Sequence, residues 1–146
     1  MQVSALSVGD YGWKEKNING KNMYIAVDFD GTCVTHDYPR IGKDIHAIPV
    51  LKRLVSNGHK LILNTMRSGK EIDEAVNWFK EHNIELFGVN ENPTQKSWTA
   101  SPKVYAHMYI DDAAFGCPLL TVPELSDRPF VNWPWIELKL TQMEII

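Results

Sequence analysis

Short unbroken apolar runs alternate along this chain with stretches whose apolar positions recur at helical spacing. Residues 24–27 (Tyr-Ile-Ala-Val), 59–65 around Leu61-Ile62-Leu63, 84–89 and 104–110 are rich in strand formers and bounded by polar or turn-forming residues. Between the first two runs, Ile48, Leu51, Leu54 and Val55 share a helical face, with Pro49 in the first turn and Asn57-Gly58 as the stop. Between the next two, Ile72, Ala75, Val76 and Phe79 predict a helix ending near Asn83, and Ser68-Gly69-Lys70-Glu71 has the spacing of a capping box. Residues 91–101 are polar, with room for a short helix. A brief strand is expected over 119–122, and Asn132 is placed to cap a last helix carrying Ile136, Leu140 and Met143. Residues 1–22 are polar and weakly periodic; they read as a poorly structured extension or loose hairpin ahead of a domain over 23–146.

Strands alternating with helices imply an α/β fold with a parallel sheet and right-handed crossovers. The 146 residues, 44% hydrophobic and 23% charged, suit one globular domain with a real core. A net charge of −3 gives no basic excess for nucleic acid or an anionic membrane, and no apolar run is long enough to span a bilayer. Cys33 and Cys117 have no metal-type spacing, and the five histidines include no close pair, which argues against zinc. The expectation is a cytoplasmic chain with free thiols.

The run 24–27 is apolar throughout, as in a strand buried on both faces, and it ends abruptly in Asp28-Phe29-Asp30-Gly31-Thr32. Ligands of open α/β sheets bind beyond the carboxyl ends of the strands. Two carboxylates this close repel, and a divalent cation reverses the sign of that interaction. Mg²⁺ takes a few carboxylates and keeps several waters, which leaves room for a phosphate oxygen. Gly31 permits a sharp turn and close approach to a ligand. A calcium loop is rejected, because its sixth and twelfth positions, which need Gly and Glu, hold Cys33 and Pro39. A second acidic pair, Asp111-Asp112, ends the run 104–110, and Thr65 ends the run around Leu61-Ile62-Leu63.

An apolar strand ending in Asp-x-Asp-Gly-Thr, a strand ending in Thr, a lysine, and a strand ending in Asp-Asp together resemble the haloacid dehalogenase (HAD) superfamily. The resemblance covers residues 23 to about 120. It implies a three-layer, Rossmann-like fold and a Mg²⁺-dependent phosphatase. Asp28 would be the nucleophile and Asp30 the general acid/base. Thr65 would hydrogen-bond the transferring phosphoryl group, and a lysine would neutralise its charge. Lys103 is preferred to Lys96 for this role, because it leads directly into the run that ends at Asp111. Asp28, Asp30, Asp111 and Asp112 are the implied metal set, with Asp111 a direct ligand and Asp112 bound through water or paired with the lysine. Gly31, Thr32, Asn64 and Arg67 are the candidate substrate-binding residues at the two strand ends. An acid at position 30 favours the phosphatase over the dehalogenase branch.

Two other classes are weighed. Response-regulator receiver domains also combine acidic residues, Mg²⁺, Thr or Ser and Lys on a parallel sheet, but their acidic pair comes first and the phosphorylated Asp later. A non-catalytic phosphate-binding relative is the other, against which every implied catalytic position is intact. The intervals 32–60 and 65–103 hold only core elements and loops, whereas a separate cap would need roughly 50 further residues, so no cap domain is expected. Local loops, either 35–43 with His36 and Asp37 or 91–101, would then be what excludes water. An open site would accept bulky phosphate esters, with nucleotides, sugar phosphates and nucleic-acid ends all compatible. Oligomeric state is not readable.

Overall fold

The computed structural model of the chain describes residues 22–146, so the expectation for residues 1–22 lies outside the described residues except for Asn22. The chain folds as a mixed α/β structure. The elements are β1 (Tyr24–Val27), α1 (Ala47–Ser56), β2 (Lys60–Leu63), α2 (Gly69–Glu81), β3 (Gly88–Val89), a 3₁₀ turn (Gln95–Ser97), β4 (Met108–Ile110), β5 (Leu119–Leu120), β6 (Phe130–Val131) and α3 (Trp133–Gln142). The first four strands form a parallel sheet in the order β3-β2-β1-β4, and β5 and β6 form a separate antiparallel pair. The sheet is covered on both faces, so both faces of β1 are hidden, which accounts for its unbroken apolar sequence.

The alternation of side chains along the strands divides the interior in two. Ile25, Val27, Leu61 and Leu63 join the buried side chains of all three helices, among them Leu51 and Leu54 of α1, Phe79 of α2 and Trp133 of α3. Ala26 and Ile62 face the other way, against Val104, Tyr24, Phe87 and Ala106. On that face Val104 and Ala106 come from the connection between β3 and β4, whose one helical element is the 3₁₀ turn, and Phe87 lies just ahead of β3.

Several local expectations are corrected. The third strand shrinks to Gly88–Val89, because Asn83 turns left-handed (φ 57°) and Ile84 donates its N–H back to Phe79 O, closing α2 instead of joining the sheet. The fourth shrinks to Met108–Ile110, since Gln95 and Asn92 side chains take the Tyr105 N–H and C=O. Ser68 makes no side-chain cap; the capping box does not form where Gly69 adopts φ 54° at the helix entrance. Asn132 does cap α3, its Oδ1 accepting from Trp135 N at 3.1 Å. The segment 91–101 holds the 3₁₀ turn, and the strand expected over 119–122 is Leu119–Leu120, with Phe130–Val131 as a partner that sequence periodicity did not reveal. Among the described residues, no helix is long and apolar enough to cross a membrane.

Candidate active site

Sheet register aligns the strand ends. Val27 pairs with Leu63 and with Ile110, and Leu63 pairs with Val89, so the four strands finish level. The ladder runs one step further: Asp28 N–H donates to Ile110 O at 3.0 Å, Asn64 N–H to Val27 O at 2.9 Å, and Asn90 N–H to Leu63 O at 2.7 Å. The two acidic motifs therefore leave the carboxyl ends of adjacent strands.

Asp28, Asp111 and Asp112 each bring a carboxylate oxygen into one cluster, with those atoms within 4.8 Å of one another. Thr32, fully buried, joins the motifs. Its hydroxyl donates to Asp28 Oδ2 at 2.8 Å, with Asp112 Oδ1 at 3.2 Å as the alternative acceptor, and its oxygen accepts from Asp112 N at 3.0 Å. Burial pushes the Asp28 carboxyl up to about 7; the Thr32 hydrogen bond opposes the rise, and the neighbouring Asp111 and Asp112 add to it. A set of three hard oxygen donors, crowded and costly to ionise together, fits a divalent cation such as Mg²⁺.

The loop after β1 is shaped by contacts. Phe29 O accepts from the N–H groups of Thr32 and Cys33, and Gly31 takes φ 78°. A Cβ on Gly31 would lie 2.0 Å from His36 Nε2 and 2.7 Å from Asp112 Oδ2, so glycine is required there by both backbone and space. His36 uses that space, its Nε2 lying 2.9 Å from Asp112 Oδ2. From beneath, Trp133 Nε1 donates to Thr32 O at 2.6 Å and Val131 N to Gly31 O at 3.0 Å. The β5–β6 pair and α3 thus buttress the loop. Sequence reasoning placed His36 only in a nearby loop, without its contact to Asp112, and missed Val131 and Trp133. Only a tryptophan beside a helix cap hinted at the last, and nothing marked Val131.

Asp30 stands apart from the cluster. Although it is in the implied metal set, its carboxylate is gripped by Arg67, Nε to Oδ2 at 2.8 Å and Nη2 to Oδ1 at 2.7 Å. Arg67 itself departs from its expected place. It is neither on the surface nor free to bind substrate: its side chain is 1% exposed, and its remaining N–H groups donate to Pro39 O, Arg40 O and Glu71 O. The Asp30 carboxylate raises the guanidinium's already high affinity for its proton, and burial opposes this.

Thr65 and Asn64 lie where expected, at the end of β2 beside Asp28. Thr65 N donates to Asn90 Oδ1 at 2.8 Å, and Thr65 Oγ1 accepts from Arg67 N at 3.1 Å. Asn90, left-handed at φ 54°, was hidden just beyond a run read only as a strand. The two lysines are outside the cluster: Lys103 Nζ lies 5.8 Å from the centre of the Tyr109 ring, and Lys96 Nζ lies 3.4 Å from Glu91 Oε1 on the surface. Among the described residues neither forms an ion pair with Asp28, Asp111 or Asp112.

No protein-family model matches the chain, and no curated protein matches it. A solved structure does: that of a conserved protein coded by a locus of Bacteroides thetaiotaomicron, with TM-score 0.68 and 35% sequence identity. The match covers 84% of this chain and 92% of that one. At that identity over nearly the whole of its relative, the chain belongs to the family of this conserved Bacteroides protein.

Proposed function

We propose that the protein is a Mg²⁺-dependent phosphoric monoester hydrolase of the HAD type, working through an aspartyl phosphate on Asp28. The observation that carries this reading is the meeting of Asp28, Asp111 and Asp112 at the level ends of β1 and β4. The order of strands and motifs supports a HAD-like, Rossmann-like fold in which the β3–β4 connection serves as the third layer.

Asp28 is the nucleophile. One oxygen is held by Thr32, which leaves the other to attack phosphorus in line, forming the Asp28 O–P bond as the bond to the leaving oxygen breaks. Asp30, one residue beyond Phe29, enters the step as the acid, gives its proton to the leaving oxygen and becomes the carboxylate that Arg67 grips. It then takes one from the water that cleaves the aspartyl phosphate. Each of its oxygens accepts one hydrogen bond from Arg67, and each keeps a lone pair for this traffic. Thr65, whose oxygen already accepts from Arg67 N, turns its O–H to a phosphoryl oxygen. Lys103, which has no ion pair among the described residues, is the candidate to balance the phosphoryl charge, whereas Lys96 is engaged by Glu91. Mg²⁺, when bound by Asp28, Asp111 and Asp112, would supply positive charge where negative charge gathers in the transition state.

Among the described residues, the segment between β1 and β2 contributes a loop and α1, and the segment between β2 and β3 contributes α2. This supports an open site that takes bulky phosphate esters, nucleotides and nucleic-acid ends among them. A phosphatase screen over aryl, sugar and nucleotide phosphates, with Mg²⁺ present and then chelated, tests the proposal. Turnover that vanishes with the metal is the expected result. Turnover that survives excess chelator, or its absence from the whole panel, contradicts the proposal.

A further inference from the structure

We infer that Arg67 is a positioning residue for the reaction, holding the carboxylate of Asp30 and the hydroxyl of Thr65 in working orientation. This inference rests on the phosphatase reading and assigns a role that the motif resemblance left as substrate binding.

The geometry leaves the guanidinium nothing for a substrate. An arginine has five N–H donors in a rigid planar fork. Here Nε and one Nη2 hydrogen go to the two Asp30 oxygens, the other Nη2 hydrogen goes to Arg40 O, and the Nη1 pair goes to Pro39 O and Glu71 O. The Phe29 and Tyr38 rings flank it, with each ring centre 5.1 Å from the guanidinium carbon. The backbone N–H of the same residue reaches Thr65 Oγ1.

Such an arrangement has a specific consequence. Burying a charged pair offers no assured gain in stability over apolar residues of the same volume. An apolar filler cannot, however, orient a carboxylate. The bidentate grip fixes the Asp30 plane, and the three carbonyls fix the guanidinium in turn against the 37–42 loop and the first turn of α2. Asp30 belongs to a loop held at its other end by Thr32. Without Arg67 its side chain would be free to rotate away from the leaving oxygen.

Positioning predicts a loss in kcat, not in binding. In Arg67→Lys, a single ammonium with three donors cannot span five acceptors, and kcat on an aryl phosphate should fall by about 100-fold, as displacements near 1 Å cost. KM should stay within about threefold, because no Arg67 donor meets substrate. Arg67→Ala should lose as much, and millimolar guanidinium should restore part of its kcat by refilling the gap beside Asp30. Asp30→Glu serves where an Arg67 variant does not fold. It retains the acid but shifts it by one methylene against the fork, and its kcat should drop comparably. A rise in KM at constant kcat, a fully active Arg67→Lys, or a fully active Asp30→Glu overturns the positioning role while leaving the phosphatase reading standing. A wild-type protein without turnover overturns both.

Discussion

Thr32 and Asp112 hold each other across 80 residues of sequence: the Asp112 N–H donates to Thr32 Oγ1 at 3.0 Å, and the Thr32 hydroxyl lies between Asp112 and Asp28. One buried hydroxyl thereby sets the spacing of both acidic motifs. Thr32→Val keeps the shape and removes the link. It leaves the Asp112 N–H without its acceptor and should cost about 1–3 kcal/mol in denaturant unfolding. The rate on an aryl phosphate should fall by at least about tenfold as the carboxylates drift. Thr32→Ser, which keeps the hydroxyl, should retain most of both.

Gly31 is the second structural test. Alanine there places a Cβ 2.0 Å from His36 Nε2 at a backbone φ of 78°. Gly31→Ala should destabilise by about 1–3 kcal/mol from the backbone conformation alone, with the clash in addition. Adding His36→Ala should recover the clash component and not the backbone component. The midpoints of urea unfolding for the single and double variants separate the two; no recovery at all would mean that His36 does not occupy this space.

The raised Asp28 carboxyl predicts how stability follows pH in the metal-free protein. Its folded pKa of about 7 lies above the ordinary value of 3.8, so the folded state holds this proton more tightly than the unfolded state does. Stability from this group is fully present below about pH 4 and is lost as pH rises towards 7, by at most a few kcal/mol for a partly exposed carboxyl. On the proposed function, Mg²⁺ would bind the ionised cluster and reverse the loss. Its stabilising shift in Tm should therefore be larger at pH 8 than at pH 5. Equal shifts at both pH values would count against a cation held by Asp28.

The sheet, the helices and the two acidic strand ends were legible because each rests on local sequence. A buried parallel strand needs an unbroken apolar run, as in Tyr24–Val27, and a crossover helix needs a one-sided apolar stripe, as in α1 and α2. Asn132 was legible as a cap for the same reason. What depends on distant partners was not. Arg67 read as a substrate-binding cation, since nothing in Met66-Arg67-Ser68 tells that Asp30 and three carbonyls from two other segments enclose it. The Ser68 capping box failed because its local pattern competes with the left-handed turn at Gly69. Phe130–Val131 is too short for any periodicity to declare it.

The lysines give a comparison independent of the carboxylates. Lys103→Ala should lower the rate far more than Lys96→Ala, because Lys96 spends its charge on an exposed pair with Glu91 that is worth little. Steady-state kinetics on one aryl phosphate decide this. A crippling Lys96→Ala beside a healthy Lys103→Ala would reassign the residue.

The central claim is a covalent phosphate on Asp28. In Asp30→Asn, which lacks the group that takes a proton from the hydrolytic water, the adduct should accumulate during turnover in Mg²⁺. Acid-quenched samples analysed by peptide mass spectrometry should then carry one phosphate, placed by fragmentation on Asp28. The same preparation made with Asp28→Asn should carry none. A phosphate on another residue, or an Asp28→Asn protein that turns over aryl phosphate as the wild type does, would contradict the account.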